Sequence, residues 1–116
     1  MRAKLFAVAI IGLIGPANAQ SPDQTSANAV MPGCVQTLGS GLASFEGGYC
    51  LGLVRAIAAL GPLLNHELRF CPPHGVTAGQ DLRVVVDFIN RNPGRMHEIF
   101  DVLALEAFRN SWRCRN

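Results

Sequence analysis

The chain has 116 residues, with 49% hydrophobic and 16% charged side chains, 4 cysteines and a formal charge of +2. That length holds one small domain around a single core and excludes a multidomain enzyme. The hydrophobic content excludes a disordered chain, and the near-neutral charge excludes a nucleic-acid binder.

Residues 1–19 read as an export signal. Arg2 and Lys4 make a basic start, Leu5–Ile14 is an unbroken apolar run, and Ala17-Asn18-Ala19 has the small-x-small form that signal peptidase cuts. A membrane-spanning helix needs about 20 apolar residues, and Gly15-Pro16 ends this run early. No cysteine follows the run, which argues against a lipoprotein. Cleavage after Ala19 removes two cations, leaves a formal charge of zero and leaves no membrane segment behind. Lys4 is the only lysine, so every remaining cation is an arginine.

Export decides how the cysteines are read. An even set of four in a short exported chain implies two disulfides, because the compartment is oxidising and so small a core gains from a covalent link. Cys71-Pro72-Pro73-His74 has a ligand-like spacing, yet no second ligand pair accompanies it, so neither a metal site nor any other cofactor is assigned. A Cys/His hydrolase needs a free thiol, which the even count argues against, so no catalytic residue is assigned and the chain is not read as an enzyme.

Gln20–Asn28 is polar and reads as a flexible lead-in, with order beginning near Ala29, so that 29–116 is a single helical domain. Pro32-Gly33 and Gly39-Ser40-Gly41 interrupt any long helix, which leaves one short helix or turn over Val35–Ala43. Phe45–Leu64 carries Cys50, Leu51, Val54, Ile57 and Ala58 at helical spacing, and Gly61-Pro62 should end or kink this central helix. Thr77-Ala78-Gly79-Gln80 is a capping box, in which the Thr77 hydroxyl accepts from the Gln80 amide while the Gln80 side chain accepts from the Thr77 N–H. The helix it opens has Leu82, Val85, Val86 and Ile89 on one face, with Arg83, Asp87, Asn90 and Arg91 outside. Asn92-Pro93 should end that helix and start the next, Asn92 as cap and Pro93 in the first helical position. The last helix then runs to Asn110, with Met96, Ile99, Phe100, Leu103, Ala107 and Phe108 inward.

These last two helices are about 24 Å and about 27 Å long at 1.5 Å per residue, so folding back antiparallel brings their far ends together. Cys71 lies just before the first and Cys114 just after the second, which pairs them. Cys34 and Cys50 pair by remainder, although sequence alone permits three connectivities. The expected fold is all-α: a small disulfide-linked bundle of about four helices with a C-terminal antiparallel hairpin.

Four motifs then carry a resemblance. Gly48-Tyr49-Cys50-Leu51-Gly52, the run Cys71–Gln80, Asn92-Pro93-Gly94-Arg95-Met96-His97, and Ala107–Cys114 resemble, in order and spacing, the Rap/Tai immunity-protein family. The family patterns are GYCLG, C-x-P-x-G-V-T-x-G-Q, H-P-E-x-x-H and A-L-x-x-A-F-P-C. The second is the most specific and the last the least. The chain departs from them at Leu53 for an aromatic, Ala56 for glycine, Asn92 for histidine, Gly94 for an acid, and Ser111–Cys114 for A-F-P-C. The resemblance implies a small all-helical periplasmic protein, often homodimeric, with disulfide bonds. Its function would be to inhibit a peptidoglycan amidase delivered by a type VI secretion system, and its partner that amidase.

The motif residues Tyr49, Gly52, Gly75, Thr77, Gln80 and Pro93 are read as structural, and of the motif positions Thr77 and Gln80 are explained by capping, Pro93 by helix initiation, and Gly75 and Gly79 by close approach at a helix start. His66, His74 and His97 are isolated, and Glu98, Asp101 and Glu106 make no catalytic pair by spacing. The turn Asn90–His97 is the expected partner surface, with Asn90, Arg91, Asn92, Arg95 and His97 as contacts, because a short turn held by two helices enters a cleft at little ordering cost. The alternative is a small periplasmic chaperone or structural helper without an amidase partner.

Overall fold

The computed structural model describes residues 23–41 and 44–115, and the signal segment 1–19 lies outside them. Four helices follow in chain order: α1 (Ala27–Ser40), α2 (Phe45–Leu60), α3 (Ala78–Asn90) and α4 (Phe100–Ser111). Short 3-10 turns at Gly61–Leu63 and Pro93–Arg95 follow α2 and α3. The fold is an all-α small bundle with two disulfides, as expected. α1 packs along α2, and α3 packs on α4 as the C-terminal hairpin.

The first helix is the largest departure from expectation. It begins at Ala27 and runs 14 residues through Pro32, Gly33 and Gly39, where a break was expected before Val35. Proline in a helix removes one hydrogen bond to the residue four before it. Here burial of Val30, Met31 and Cys34 on either side of Pro32 outweighs that loss. Glycine at 33 has a packing cause: a side-chain carbon there would overlap the Glu46 carbonyl, so α1 and α2 cross with their backbones nearly touching. Cys34 and Cys50, both wholly buried, bridge the same crossing with 5.4 Å between their Cα atoms.

Residues 23–28 are docked, whereas a flexible lead-in was expected over 20–28. The first amides of a helix lack partners within it. Ser26 caps α1 by accepting from the Ala29 amide, and its own hydroxyl donates to Asp23. The Ala27 and Asn28 amides donate to the Glu98 and Met96 carbonyls at 3.0 and 2.8 Å. In return the Phe100 amide donates to the Thr25 carbonyl at 2.8 Å, which supplies the cap that Ile99 cannot give α4 from its side chain. The two helix starts therefore cap each other across an isolated antiparallel bridge between Ser26 and Ile99.

That exchange also shortens the last helix. It starts at Phe100 rather than Pro93, because Pro93–Arg95 closes a tight turn and Met96–Ile99 swings out to meet the N-terminal segment. Ile99, expected inward, is 53% exposed. Asn92 closes the helix behind it instead of opening the one ahead: its side-chain amide donates to the Phe88 carbonyl at 2.8 Å.

The rest of the core follows the reading. The central helix ends at Leu60 and turns over at Gly61-Pro62. Leu82, Val85, Val86, Ile89, Phe100, Leu103, Ala107 and Phe108 are buried, joined by Phe70 from the linking loop. Phe70 stacks on Phe108 at 5.0 Å between ring centroids, and Phe108 stacks on Trp112 at 5.2 Å. Cys71–Cys114 closes the open end of the hairpin, beside a hydrogen bond from the Cys71 amide to the Trp112 carbonyl.

Candidate functional site

The turn between α3 and α4 is organised by Arg95. Its guanidinium makes two parallel bonds to the Glu106 carboxylate, at 3.1 and 2.7 Å, and also binds both oxygens of Glu98. Phe88 lies under the same group, 6.0 Å from ring centroid to guanidinium carbon. Planar, forked pairing of this kind is what arginine does better than lysine. Arg95 holds the carboxyls of Glu106 and Glu98 below the usual carboxylate range, and both carboxylates push Arg95 up. Arg95 was expected as a free cation facing a partner. It is an internal tie that fixes the turn to α4, and through the Glu98 carbonyl to α1.

The other turn residues separate by exposure. Asn90, Arg91 and His97 are exposed, while Asn92 is half-buried and engaged with α3. The Arg91 side chain donates to the Asp87 carbonyl at 3.2 Å and leaves the rest of its guanidinium to solvent. His66, His74 and Asp101 are also exposed and lie on separate elements. Cys71 is in a disulfide, so its sulfur is not available as the metal ligand that the Cys71–His74 spacing allowed.

Sequence reasoning also missed a buried charged pair. Asp81, 2% exposed, takes a hydrogen bond from Arg55 of α2 at 2.7 Å. Burial raises the Asp81 carboxyl and Arg55 partly offsets that. The signal was present: Asp81 sits four residues before Val85 on the apolar face of α3, where a carboxylate needs a cation from a neighbouring element.

The motif residues have mixed explanations. The capping box is complete, with Gln80 N to Thr77 Oγ1 at 3.2 Å and Thr77 N to Gln80 Oε1 at 2.8 Å. Gly75 is needed for its backbone, at φ +86°, and not for close approach, since the space around it is open. Pro93 is exposed and opens the 3-10 turn rather than a helix. Tyr49 is 41% exposed and stacks on Phe45 at 6.4 Å. Gly52 is exposed on α2 with nothing near it, although glycine within a helix costs about 1 kcal/mol relative to alanine.

The family model for Rap1a immunity proteins matches residues 20–114. The chain belongs to the Rap1a immunity protein family. No curated protein and no solved structure matches it. Family membership makes it an immunity protein, whose work is to bind an effector protein. The four helices, both disulfides and the Arg95 turn all fall inside the matched span of this Rap1a-family chain. No helix among the described residues is long and apolar enough to cross a membrane.

Proposed function

We propose that the chain is exported to the periplasm, cut after Ala19, and there binds and inhibits a peptidoglycan amidase delivered by a type VI secretion system. Membership in the Rap1a immunity family is the observation that carries this reading. Two disulfides support it, because they persist in an oxidising compartment. A wall amidase acts in that compartment, so a protein that blocks it works there as well. The chain acts by occupying the effector and not by chemistry of its own. We place effector contact on the turn Asn90–His97, where Asn90, Arg91 and His97 face outward and Arg95 sets their spacing.

A second copy is placed on the outer face of α2. Phe45 is 82% exposed and Leu60 53%, with Tyr49, Gly52 and Ala56 between them, so this helix presents an apolar stripe in which glycine lets another backbone approach. Ala56→Arg should then convert a dimer to monomer in light scattering, and an unchanged mass would remove this face. For the function, the full chain should protect cells that direct such an amidase to their own periplasm, whereas a chain lacking residues 1–19 should not. Equal protection by both forms would contradict export, and lysis with the full chain present would contradict inhibition.

A further inference from the structure

A further surface lies on α4, beside the loop that follows Leu64. The loop after Leu64 runs alongside α4 and leaves a groove of about 590 Å³, lined by Arg69, Arg109 and Arg113 together with Leu68 and Val102. Among the described residues the ion pairs are Arg55–Asp81, Arg95–Glu98 and Arg95–Glu106, so none of the three groove arginines is within pairing distance of a carboxylate there. Glu106 also lines the groove, but its carboxylate is taken by Arg95, and Arg109 acts on it only from a distance. Glu67 is the one other acid on the lining.

This gathering of cations is not a by-product of a basic chain. After loss of Arg2 and Lys4 the arginines equal the acids in number, yet three of them share one groove. Covalent structure holds them there: Arg69 lies two residues before Cys71 and Arg113 one before Cys114, and the bridge sets those cysteine Cα atoms 4.9 Å apart. Like charges held together repel unless an anion sits between them. Leu68 and Val102, 39% and 53% exposed, add an apolar strip beside the cations.

We propose that this groove receives an acidic segment of a protein partner, its carboxylates on Arg69, Arg109 and Arg113 and an apolar side chain against Leu68 and Val102. Charge complementarity argues for the carboxylates, since arginine forks pair with them bidentately. The exposed leucine and valine argue for a peptide rather than a bare anion. A groove already fixed by the bridge meets such a segment with little ordering of its own. Only the identity of the partner as the effector rests on the proposed function.

The test uses the full chain purified after export and a fluorescein-labelled peptide of alternating glutamate and leucine. Fluorescence anisotropy should show saturable binding that weakens with salt. Binding should weaken tenfold or more in Arg69→Ala/Arg109→Ala/Arg113→Ala, and measurably in Arg109→Ala alone should the triple variant not fold. Arg83→Ala, outside both the groove and the α3–α4 turn, should bind within twofold of wild type. Equal loss in that control, equal binding of a lysine-leucine peptide, or displacement by inorganic phosphate at the peptide's own concentration would overturn the proposal. A parallel titration with a type VI amidase separates the two readings. An amidase bound by wild type and lost in the triple variant supports the groove. An amidase bound equally by both overturns the groove as the effector site and leaves the proposed function standing. Peptide binding without any amidase binding overturns the proposed function and keeps the groove.

Discussion

The two halves of this bundle are held by bridges of opposite character. In the α1–α2 half the disulfide is wholly buried at a crossing so close that Gly33 meets the Glu46 backbone. In the α3–α4 half the bridge lies at the rim, with Cys71 exposed, and the core is made by aromatic rings and two amphipathic faces. The first half depends on backbone proximity, which few side chains report. The second depends on side-chain periodicity, which the sequence displays openly. A small domain can thus use the same chemical link as part of its core in one place and as a fastener for a surface groove in another.

Removing the bridges should give the largest effects. In the loop-entropy account the spans of 43 and 16 residues correspond to about 4 and about 3 kcal/mol. Cys71→Ser/Cys114→Ser is expected to lower the urea-derived stability by the larger amount, and Cys34→Ala/Cys50→Ala by the smaller amount plus whatever the buried cavity adds. Access should run the other way. Under native conditions a dilute dithiol should open Cys71–Cys114 first, followed by alkylation and mass spectrometry, and prior opening of Cys34–Cys50 would break the contrast.

Gly33→Ala sharpens the contrast next. The added carbon must displace α2, and overpacking of this kind costs about 1–3 kcal/mol, so the urea midpoint should fall well below that of Gly79→Ala, where the space is ordinary. Thr77→Ala probes the other half and should cost about 1 kcal/mol through the lost cap, without change in the helical circular dichroism.

Acid should loosen the joint between the halves. The Ser26 hydroxyl and the backbone amides beside it hold the Asp23 carboxyl below its ordinary range, and Arg95 holds Glu98 and Glu106 below theirs. Groups lowered in the folded state lend stability that is present above the ordinary carboxylate range and lost as pH falls through the folded values. Asp81, raised by burial, acts in the opposite sense and is relieved by protonation. The melting temperature should therefore drop between pH 6 and pH 3, and drop less in Glu98→Gln/Glu106→Gln, which has already lost the tie. An equal drop in both would remove Arg95 from the joint.

Those same particulars explain what the sequence could reveal. Thr77, Gln80 and the face Leu82–Ile89 are local signals, and the structure reproduces that helix almost to the residue. The pairing of Cys71 with Cys114 followed from the hairpin, which survived even though its second helix starts at Phe100. Pro32 and Gly39 misled because tertiary burial overrode local punctuation in α1. Asn92-Pro93 misled because the segment after it spends its amides and carbonyls on residues 25–28, more than sixty positions away in the chain. In the candidate contact turn Asn90, Arg91 and His97 are exposed, whereas the role of Arg95 turned on two glutamates whose convergence exists only in three dimensions. The groove arginines left no linear trace, since Arg69 joins Arg109 and Arg113 only through the fold and its bridge.

In the proposed function this Rap1a-family protein inhibits a wall amidase by binding it. The most direct measurement is a calorimetric titration of the exported, oxidised protein into a type VI peptidoglycan amidase from the same genome, with residual muropeptide cleavage followed in the same samples. Inhibition by binding predicts a stoichiometric complex of nanomolar affinity and loss of cleavage in step with its formation. No heat of binding and full cleavage at a micromolar excess of the protein would contradict it.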